Sequence, residues 1–153
     1  MNKYNANPKG WKTGDCVVRA ISTATNKSWD DVFIGLNEIA FKKKRVFNDP
    51  IVYTEYLKQL GWDKKAQPRF YEYGCGCKVG MSKQTVNEFI DYINGDLQIN
   101  RKTDAYIITV AHHMTCVKFD NTLGKFELYD IWDCGNKTIR NYWIREGERN
   151  NEI

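Results

Sequence analysis

The sequence predicts a single α+β domain over residues 1–153, with N-terminal helices packed on a C-terminal antiparallel β-sheet. Between residues 15 and 95, apolar residues recur mainly at helical spacing. After residue 100 they form short runs rich in β-branched and aromatic side chains, which is typical of strands. Helices followed by strands indicate an α+β chain rather than an alternating α/β chain. A chain of 153 residues, 42% of them hydrophobic, is long enough to bury a core without disulfides or metal.

The N-terminal part divides at polar and capping residues. Residues 1–14 are polar and predict an irregular N-terminal loop. Asp15 predicts the N-cap of a short, mostly buried helix. Ser28, with Asp31 three residues later, predicts the start of a second helix. The stretch "DPIVYTEYLKQLGW" predicts a third helix that ends at Gly61.

The rest of the chain contains one more helix and four predicted strands. Residues 62–81 carry several glycines and a proline, and predict a loop or an irregular strand. The stretch "SKQTVNEFIDYING" predicts a fourth helix, capped by Ser82 and stopped by Gly95. A sheet is expected over residues 104–145, from "DAYIITVA", "MTCVKFD", "KFELYDIW" and "TIRNYWI". The polar "DNTLGK" between the second and third runs predicts a hairpin.

Composition and charge disfavour two classes of partner. No apolar run approaches the ~20 residues of a membrane span, and "MNKYNANPKGWK" lacks the apolar core of a signal peptide. We therefore expect no membrane partner and a cytoplasmic location. The formal charge is only +4, and the basic run 42–45 predicts a solvated helix end rather than a nucleic-acid surface. The five cysteines are expected to be reduced thiols in that compartment. They are Cys16, Cys75, Cys77, Cys116 and Cys134.

One set of residues predicts chemistry. Cys16 stands at the first turn of a predicted helix, where the helix dipole favours a thiolate. Two adjacent histidines, in "VAHHMTCV", lie at a predicted strand junction. The following hairpin should bring Asp130 opposite Thr115 or His113. A thiolate, an imidazole and an orienting carboxylate are the groups that thiol catalysis needs, and the free Cys16 backbone N–H can help to stabilise an oxyanion.

Each of these residues has an alternative interpretation. Cys16 can be an inert core residue, as free cysteines commonly are. His112 competes with His113, and His113 is preferred for its place before "MTCV" and on the resemblance described below. Asp133 competes with Asp130, but its preferred role is that of a turn residue before Gly135.

The segment "CGC" at residues 75–77 raises the question of a metal. Together with Cys134 and His112 it would supply four zinc ligands, but its one-residue spacing differs from the two to four residues usual in zinc sites. The surrounding "GCGCKVG" lacks the Lys-Ser/Thr of a phosphate-binding loop. We therefore expect neither a metal nor another cofactor.

Two motifs carry a resemblance to a known family. "GDCVVRAI" resembles the Asp-Cys opening of the bacteriocin-processing and related papain-like peptidases, and "DIWD" repeats the spacing of papain's Asn-x-Trp. The combination "GDCVVRAIS…HMT…YDIWDCG…YW" resembles a family of small papain-like proteins of bacteriophages and bacteria. The resemblance covers the chain from about Asn7 to Trp143.

The resemblance implies a papain-like fold and a role for each matching residue. It makes Cys16 the nucleophile, His113 the general base and acid, and Asp130 the residue that orients the imidazole. Trp132, in the position of the tryptophan of Asn-x-Trp, would shield the His–Asp hydrogen bond.

The pattern departs from the family at the oxyanion donor. Papain-like peptidases carry a Gln six residues before the Cys, and this chain has Gly10 there. Lys12, Asn7 or Asn5 could substitute, and the sequence selects none of them.

The expected function is hydrolysis of an amide, peptide or isopeptide bond through an acyl-thioester on Cys16. Transfer of the acyl group to an amine would make the enzyme an acyltransferase. The expected partner is a protein or peptide substrate, in the host-cell cytoplasm if a phage encodes the chain. The alternative is a catalytically weak or inactive binding module that sequesters a host protein or a small molecule. The sequence predicts no oligomeric state.

Overall fold

The structure is a computed structural model that describes residues 1–70, 73–74, 77–78, 82–95, 101 and 103–145. These residues form four helices, in the order the sequence predicts. Their bounds are α1 Cys16–Thr25, α2 Trp29–Lys43, α3 Pro50–Gln59 and α4 Val86–Gly95.

Six strands of the described residues form the main sheet: β1 Asn2–Lys3, β2 Asp63–Lys65, β7 Ala105–Val110, β8 His113–Asp120, β9 Lys125–Asp130 and β10 Asn141–Ile144. Their order in the sheet is β1-β9-β8-β7-β10-β2. Two small two-stranded sheets lie between β2 and α4 in the sequence. They pair β3 Arg69–Phe70 with β6 Ser82–Lys83 and β4 Tyr73–Gly74 with β5 Cys77–Lys78.

The predicted α+β class is confirmed, but the sheet is mixed rather than antiparallel. β1 runs parallel to β9, while the other neighbouring pairs in the main sheet are antiparallel. The sequence predicts an irregular loop where β1 lies, because the two polar residues Asn2 and Lys3 carry no strand pattern. Their extended form depends on pairing with the edge of β9, where Lys3 lies opposite Asp130. The first residues of the chain thus lie beside a candidate site residue.

The sheet is buried between helices on both faces. The neighbours Ile107 and Ile108 on β7 belong to two different core clusters, as the two-residue period of a strand requires. The first cluster joins the sheet to α1, α2 and α3, and the second joins it to α4. Strands covered on both faces read as nearly continuous apolar runs, which explains "AYIITV".

Helix starts follow the capping chemistry, with one correction. Ser28 accepts a hydrogen bond from Asp31 N at 3.0 Å, as predicted for α2. Ser82 does not cap α4, because it lies in β6. The cap is Thr85, whose Oγ1 accepts from Glu88 N at 3.2 Å while the Glu88 carboxylate accepts from Thr85 N at 3.0 Å. This capping box satisfies two free N–H groups at once, which favours the later start.

The basic run lies at the solvated end of α2, as predicted. That it is not a nucleic-acid surface stays a prediction. The side chains of residues 42–45 are exposed, Lys44 adopts the left-handed conformation at the C-cap, and Arg45 pairs with Asp49 at 3.0 Å. Positive side chains at a helix C-terminus interact favourably with the helix dipole. Among the described residues, no helix combines the length and the apolar character needed to cross a membrane.

Candidate active site

Helix α1 positions Cys16. The helix packs against β7 and β8 through a buried apolar face that includes Val17, Val18 and Ile21. Cys16 is its first residue and is half-buried. A backbone N–H at this position has no acceptor within the helix, so it points out of the helix end. The thiol and a free N–H donor therefore lie together where the helix dipole favours negative charge.

The β7–β8 hairpin positions His113. Val110 and His113 pair across the hairpin, so the connection is the two-residue loop Ala111-His112. His112 is exposed and has a φ of 56°, the left-handed conformation of a tight turn. His113 is half-buried at the first position of β8, and it is the histidine that meets Cys16 and Asp130.

The β8–β9 hairpin brings Asp130 to His113. The turn follows Asp120, and the register continues through Cys116 paired with Tyr129. The predicted hairpin is therefore confirmed. Asp130 ends β9, and its Oδ2 lies 2.6 Å from His113 Nε2. Asp133, by contrast, accepts from Gly135 N at 2.9 Å, which confirms its interpretation as a turn residue.

Cys16 and His113 share a hydrogen bond that changes the ionisation of both. Burial raises the pKa of the Cys16 thiol, but the hydrogen bond to His113, a second one from the Met114 backbone and the nearby positive charges lower it below the ordinary value. Burial disfavours the charged imidazole, but the hydrogen bonds to Asp130, Cys134 and Cys16 outweigh it and raise the pKa of His113 to about 11. These shifts favour a thiolate–imidazolium pair over neutral groups.

Asp130 stays ionised although its side chain is almost fully buried. Burial raises the pKa of its carboxyl, but the hydrogen bond from His113 and that residue's positive charge lower the pKa below the ordinary value. Its Oδ1 accepts from Ile131 N at 2.7 Å and from Arg19 Nη1 at 3.3 Å. The carboxylate is thus held on both oxygens, and its orientation fixes that of the His113 ring.

Asp15 corrects the prediction of a side-chain cap. It occupies the N-cap position, but its carboxylate makes no capping hydrogen bond. The carboxylate instead accepts from Arg19 Nε at 2.8 Å, Trp29 Nε1 at 2.9 Å and Asn7 Nδ2 at 3.0 Å. A carboxylate buried this deeply requires a charge partner, and Arg19 supplies it one turn later. Its negative charge next to Cys16 is therefore compensated.

The remaining predicted site residues lie in different places. Trp132 packs its ring edge-to-face on His113, with centroids 4.9 Å apart, and 45% of it is exposed. Asn7 holds Asp15 rather than facing the thiol. Lys12 is exposed, and Gly10 adopts a φ of 67° with open space where a side chain would begin.

An open cleft of about 550 Å³ lies beside Cys16 and His113. Helix α3 and strands β2, β7 and β10 contribute to its walls. The described residues that line the cleft do not include Lys12, Asn7 or Trp132. The other lining residues are Val17, Asn48, Pro50, Tyr53, Thr54, Lys64, Thr109, Val110, His112, Met114, Arg140, Asn141 and Trp143.

A second cysteine lies against the triad. Cys134 is fully buried, and its contact with the His113 ring contributes to the raised pKa of that imidazole. Its sulfur, a ring nitrogen of His113 and a carboxylate oxygen of Asp130 lie within 4.8 Å of one another, so these three could hold a metal ion. Cys75 and the side chain of Cys77, which belong to the alternative zinc set, fall outside the described residues.

Sequence reasoning missed Arg19, and it considered Cys134 only as a zinc ligand and not as a neighbour of the triad. A signal for Arg19 was present: it is the single charged residue of "CVVRAISTAT", and it follows Asp15 by one helical turn. Cys134 gave none, since only the path of the chain after β9 brings its sulfur to the imidazole. Comparisons of the chain with protein-family models, with curated proteins and with solved structures found no match.

Proposed function

We propose that this chain is a papain-like thiol hydrolase that cleaves an amide, peptide or isopeptide bond through an acyl-thioester on Cys16. One observation carries the proposal. The His113 ring hydrogen-bonds Cys16 at a helix N-terminus and also hydrogen-bonds the buried Asp130 carboxylate at 2.6 Å. A nucleophile, its base and an orienting group in hydrogen-bond contact are the signature of nucleophilic catalysis. The open cleft beside the thiol gives a substrate access.

Acylation would proceed by attack of the Cys16 thiolate on the carbonyl carbon of the substrate. The developing oxyanion would accept from the Cys16 backbone N–H at the start of α1. The His113 imidazolium would give its proton to the leaving nitrogen as the carbon–nitrogen bond breaks, leaving a thioester and a neutral imidazole.

Deacylation would use the same groups in reverse. Neutral His113 takes a proton from water as the water oxygen attacks the thioester, and the Cys16 thiolate leaves. The products are a carboxylic acid and the restored thiolate–imidazolium pair. An amine in place of water would give a new amide, so the same site can support acyl transfer.

The papain-like assignment belongs to the same proposal. A helix-borne cysteine, a strand-borne histidine and an acid at the end of the next strand follow one another in that order. The packing of Trp132 on His113 supports the role that the resemblance implies for it. We propose a protein or peptide substrate and a cytoplasmic site of action, the host-cell cytoplasm if a phage encodes the chain.

A second candidate function is an inactive papain-fold binding module. The observation that favours it is Gly10, which stands where the family carries its oxyanion Gln and offers no side chain. A site that binds without reacting requires no oxyanion donor. Fold alone does not decide between the two functions.

The decisive test is the rate of iodoacetamide alkylation at each cysteine as a function of pH, followed by mass spectrometry. We expect Cys16 to react fast near pH 6. His113→Ala should slow this reaction by about 100-fold or more, because an ordinary thiol is less than about 1% thiolate at that pH. The matched control is His112→Asn, which removes the exposed neighbouring imidazole and tolerates the left-handed conformation of residue 112. If the alkylation rate of Cys16 in the wild-type protein depends on pH as that of an ordinary thiol does, the catalytic proposal is contradicted and the binding module is favoured.

A further inference from the structure

The cleft beside Cys16 has positive and polar walls. Its basic lining residues, apart from the histidines, are Lys64 from β2 and Arg140 immediately before β10. Among the described residues that line it, none is an aspartate or a glutamate. Asn48, Thr54 and Asn141 add neutral polar groups. Apart from the thiol, the charges on the lining side chains are therefore positive. Asp49, between the lining residues Asn48 and Pro50, is paired with Arg45.

Arg140 is held at the cleft by its backbone and leaves its guanidinium exposed. Its N–H donates to Thr109 O at 2.8 Å, which fixes the residue against the end of β7. The ion pairs found in the described part of the chain include neither Arg140 nor Lys64. The Lys64 ammonium lies over the Trp143 ring, 5.8 Å from its centroid. Two cations thus face the cleft without a carboxylate partner in the structure described.

The Tyr53 hydroxyl interacts electrostatically with both Arg140 and Cys16. Burial raises the pKa of this hydroxyl, the negative charges of Cys16 and Asp49 raise it further, and Arg140 opposes these effects. The thiolate and the guanidinium therefore act on the same hydroxyl. Tyr53 also packs edge-to-face on Trp143, with centroids 5.9 Å apart. A group that enters the cleft would meet the positive charge and the reactive sulfur together.

We infer that the cleft binds an acyl donor that carries a carboxylate, held by Arg140 and Lys64 while its carbonyl carbon faces Cys16. A guanidinium matches the two oxygens of a carboxylate, and a lysine adds a point charge. Uncompensated cations in a concave site raise the local concentration of anions. The volume of about 550 Å³ suits a small acyl group or a short peptide segment. This inference rests on the proposed function, because it names the substrate class of the same site.

The test compares two alkylating reagents that differ in charge. Iodoacetate carries a carboxylate, and iodoacetamide is its neutral analogue. We expect Cys16 to have a higher iodoacetate-to-iodoacetamide rate ratio than the same thiol in the urea-unfolded protein. Arg140→Gln should lower the ratio in the folded protein by about threefold to tenfold, the effect of one charge a few ångströms away in a solvated site. Lys64→Gln should lower it in the same direction.

A matched variant controls for net charge. Lys125 pairs with Asp120 beside the turn of the β8–β9 hairpin, at the other end of β8 from His113. Lys125→Gln therefore removes one positive charge away from the site and should leave the ratio unchanged. An equal drop in Lys125→Gln and Arg140→Gln would assign the effect to overall charge and overturn the inference. A ratio in the folded wild type no higher than in the unfolded chain would overturn it as well.

Peptide chloromethyl ketones can distinguish two positions of the carboxylate in the acyl donor. One pair differs only in Glu or Gln beside the ketone, and the other only in an N-succinyl or N-acetyl cap. A preference for Glu indicates an acidic side chain, a preference for succinyl indicates a carboxylate at the far end of the acyl group, and no preference in either pair contradicts the inference. Fast iodoacetamide reaction with no charge preference rejects only this inference. Slow reaction of Cys16 with every reagent rejects the proposed function itself.

Discussion

Arg19 Nη1 lies 3.3 Å from Asp130 Oδ1, and the two side chains are 9% and 3% exposed. The same guanidinium donates through Nε to Asp15 at 2.8 Å. One buried arginine therefore joins the carboxylate before the nucleophile to the carboxylate that orients His113. The arrangement links the start of α1 to the end of β9, and both of these places contribute to the candidate triad.

Arg19→Met should strongly destabilise the protein. The variant keeps the apolar stem but leaves the buried Asp15 carboxylate without its cation, while Asp130 keeps His113. Breaking a buried ion pair in this way typically costs about 3–5 kcal/mol in the free energy of unfolding. Urea denaturation followed by circular dichroism measures the loss. Arg45→Met is the matched control, because it breaks the more exposed pair with Asp49 and should have a much smaller effect. Equal losses in the two variants would show that the buried network contributes no more to the free energy of unfolding than an exposed ion pair.

Substitutions of Asp130 should separate charge from hydrogen bonding. Asp130→Asn keeps an oxygen that can accept from His113, whereas Asp130→Ala removes it. We expect the Cys16 alkylation rate near pH 6 to fall by about 10- to 100-fold in the Ala variant and by less in the Asn variant, as expected for loss of an orienting group. The same rates in both variants would mean that orientation of the ring by residue 130 is unimportant.

The thiolate–imidazolium pair predicts an unusual dependence of stability on pH. Unfolded His113 loses its proton above about 6.5, while the folded residue keeps it because its pKa is raised. His113 alone therefore makes the free energy of unfolding fall as pH rises above 6.5. Folded Cys16 has a lowered pKa, whereas the unfolded thiol stays protonated up to about 9.0. Cys16 alone makes the free energy rise over that window, so the two effects oppose each other.

Cys16→Ser should leave the effect of His113 on the free energy of unfolding unopposed. Serine does not ionise, so the folded variant holds one more proton than the unfolded chain above pH 6.5. Its free energy of unfolding should then fall relative to the wild type, by up to about 1.4 kcal/mol per pH unit between pH 7 and 8.5. Urea titrations of both proteins at several pH values measure the difference. Parallel curves would argue against an ion pair in the folded protein.

Cys134 should act on the triad through His113. Its contact with the ring contributes to the raised pKa of that imidazole, so Cys134→Ala should lower the His113 pKa. Cys134→Ser preserves a hydrogen-bonding group and should restore part of the shift. NMR titration of the His113 ring carbons reports the pKa directly, and a mere loss of packing would leave it unaltered. The buried Cys116 is a control thiol, whose replacement by Ala should not move the His113 titration.

The sequence determined the elements that local chemistry specifies. Helical spacing and the Ser28 cap predicted α1 and α2, and the polar "DNTLGK" turn predicted the β8–β9 hairpin. Because a hairpin fixes its own register, the sequence also predicted that Asp130 would lie beside His113. These features depend on neighbours within about 20 residues of one another, and a linear pattern records such neighbours.

Only the tertiary structure decided the features that join distant parts of the chain. The parallel pairing of β1 with β9, the role of Arg19 between two carboxylates, and the approach of Cys134 to His113 leave no local pattern. Capping also misled at Asp15, because an aspartate at a helix start is equally suited to a buried ion pair. Long-range contacts determine which partner a polar group finds, since burial makes an unpaired charge too costly to keep.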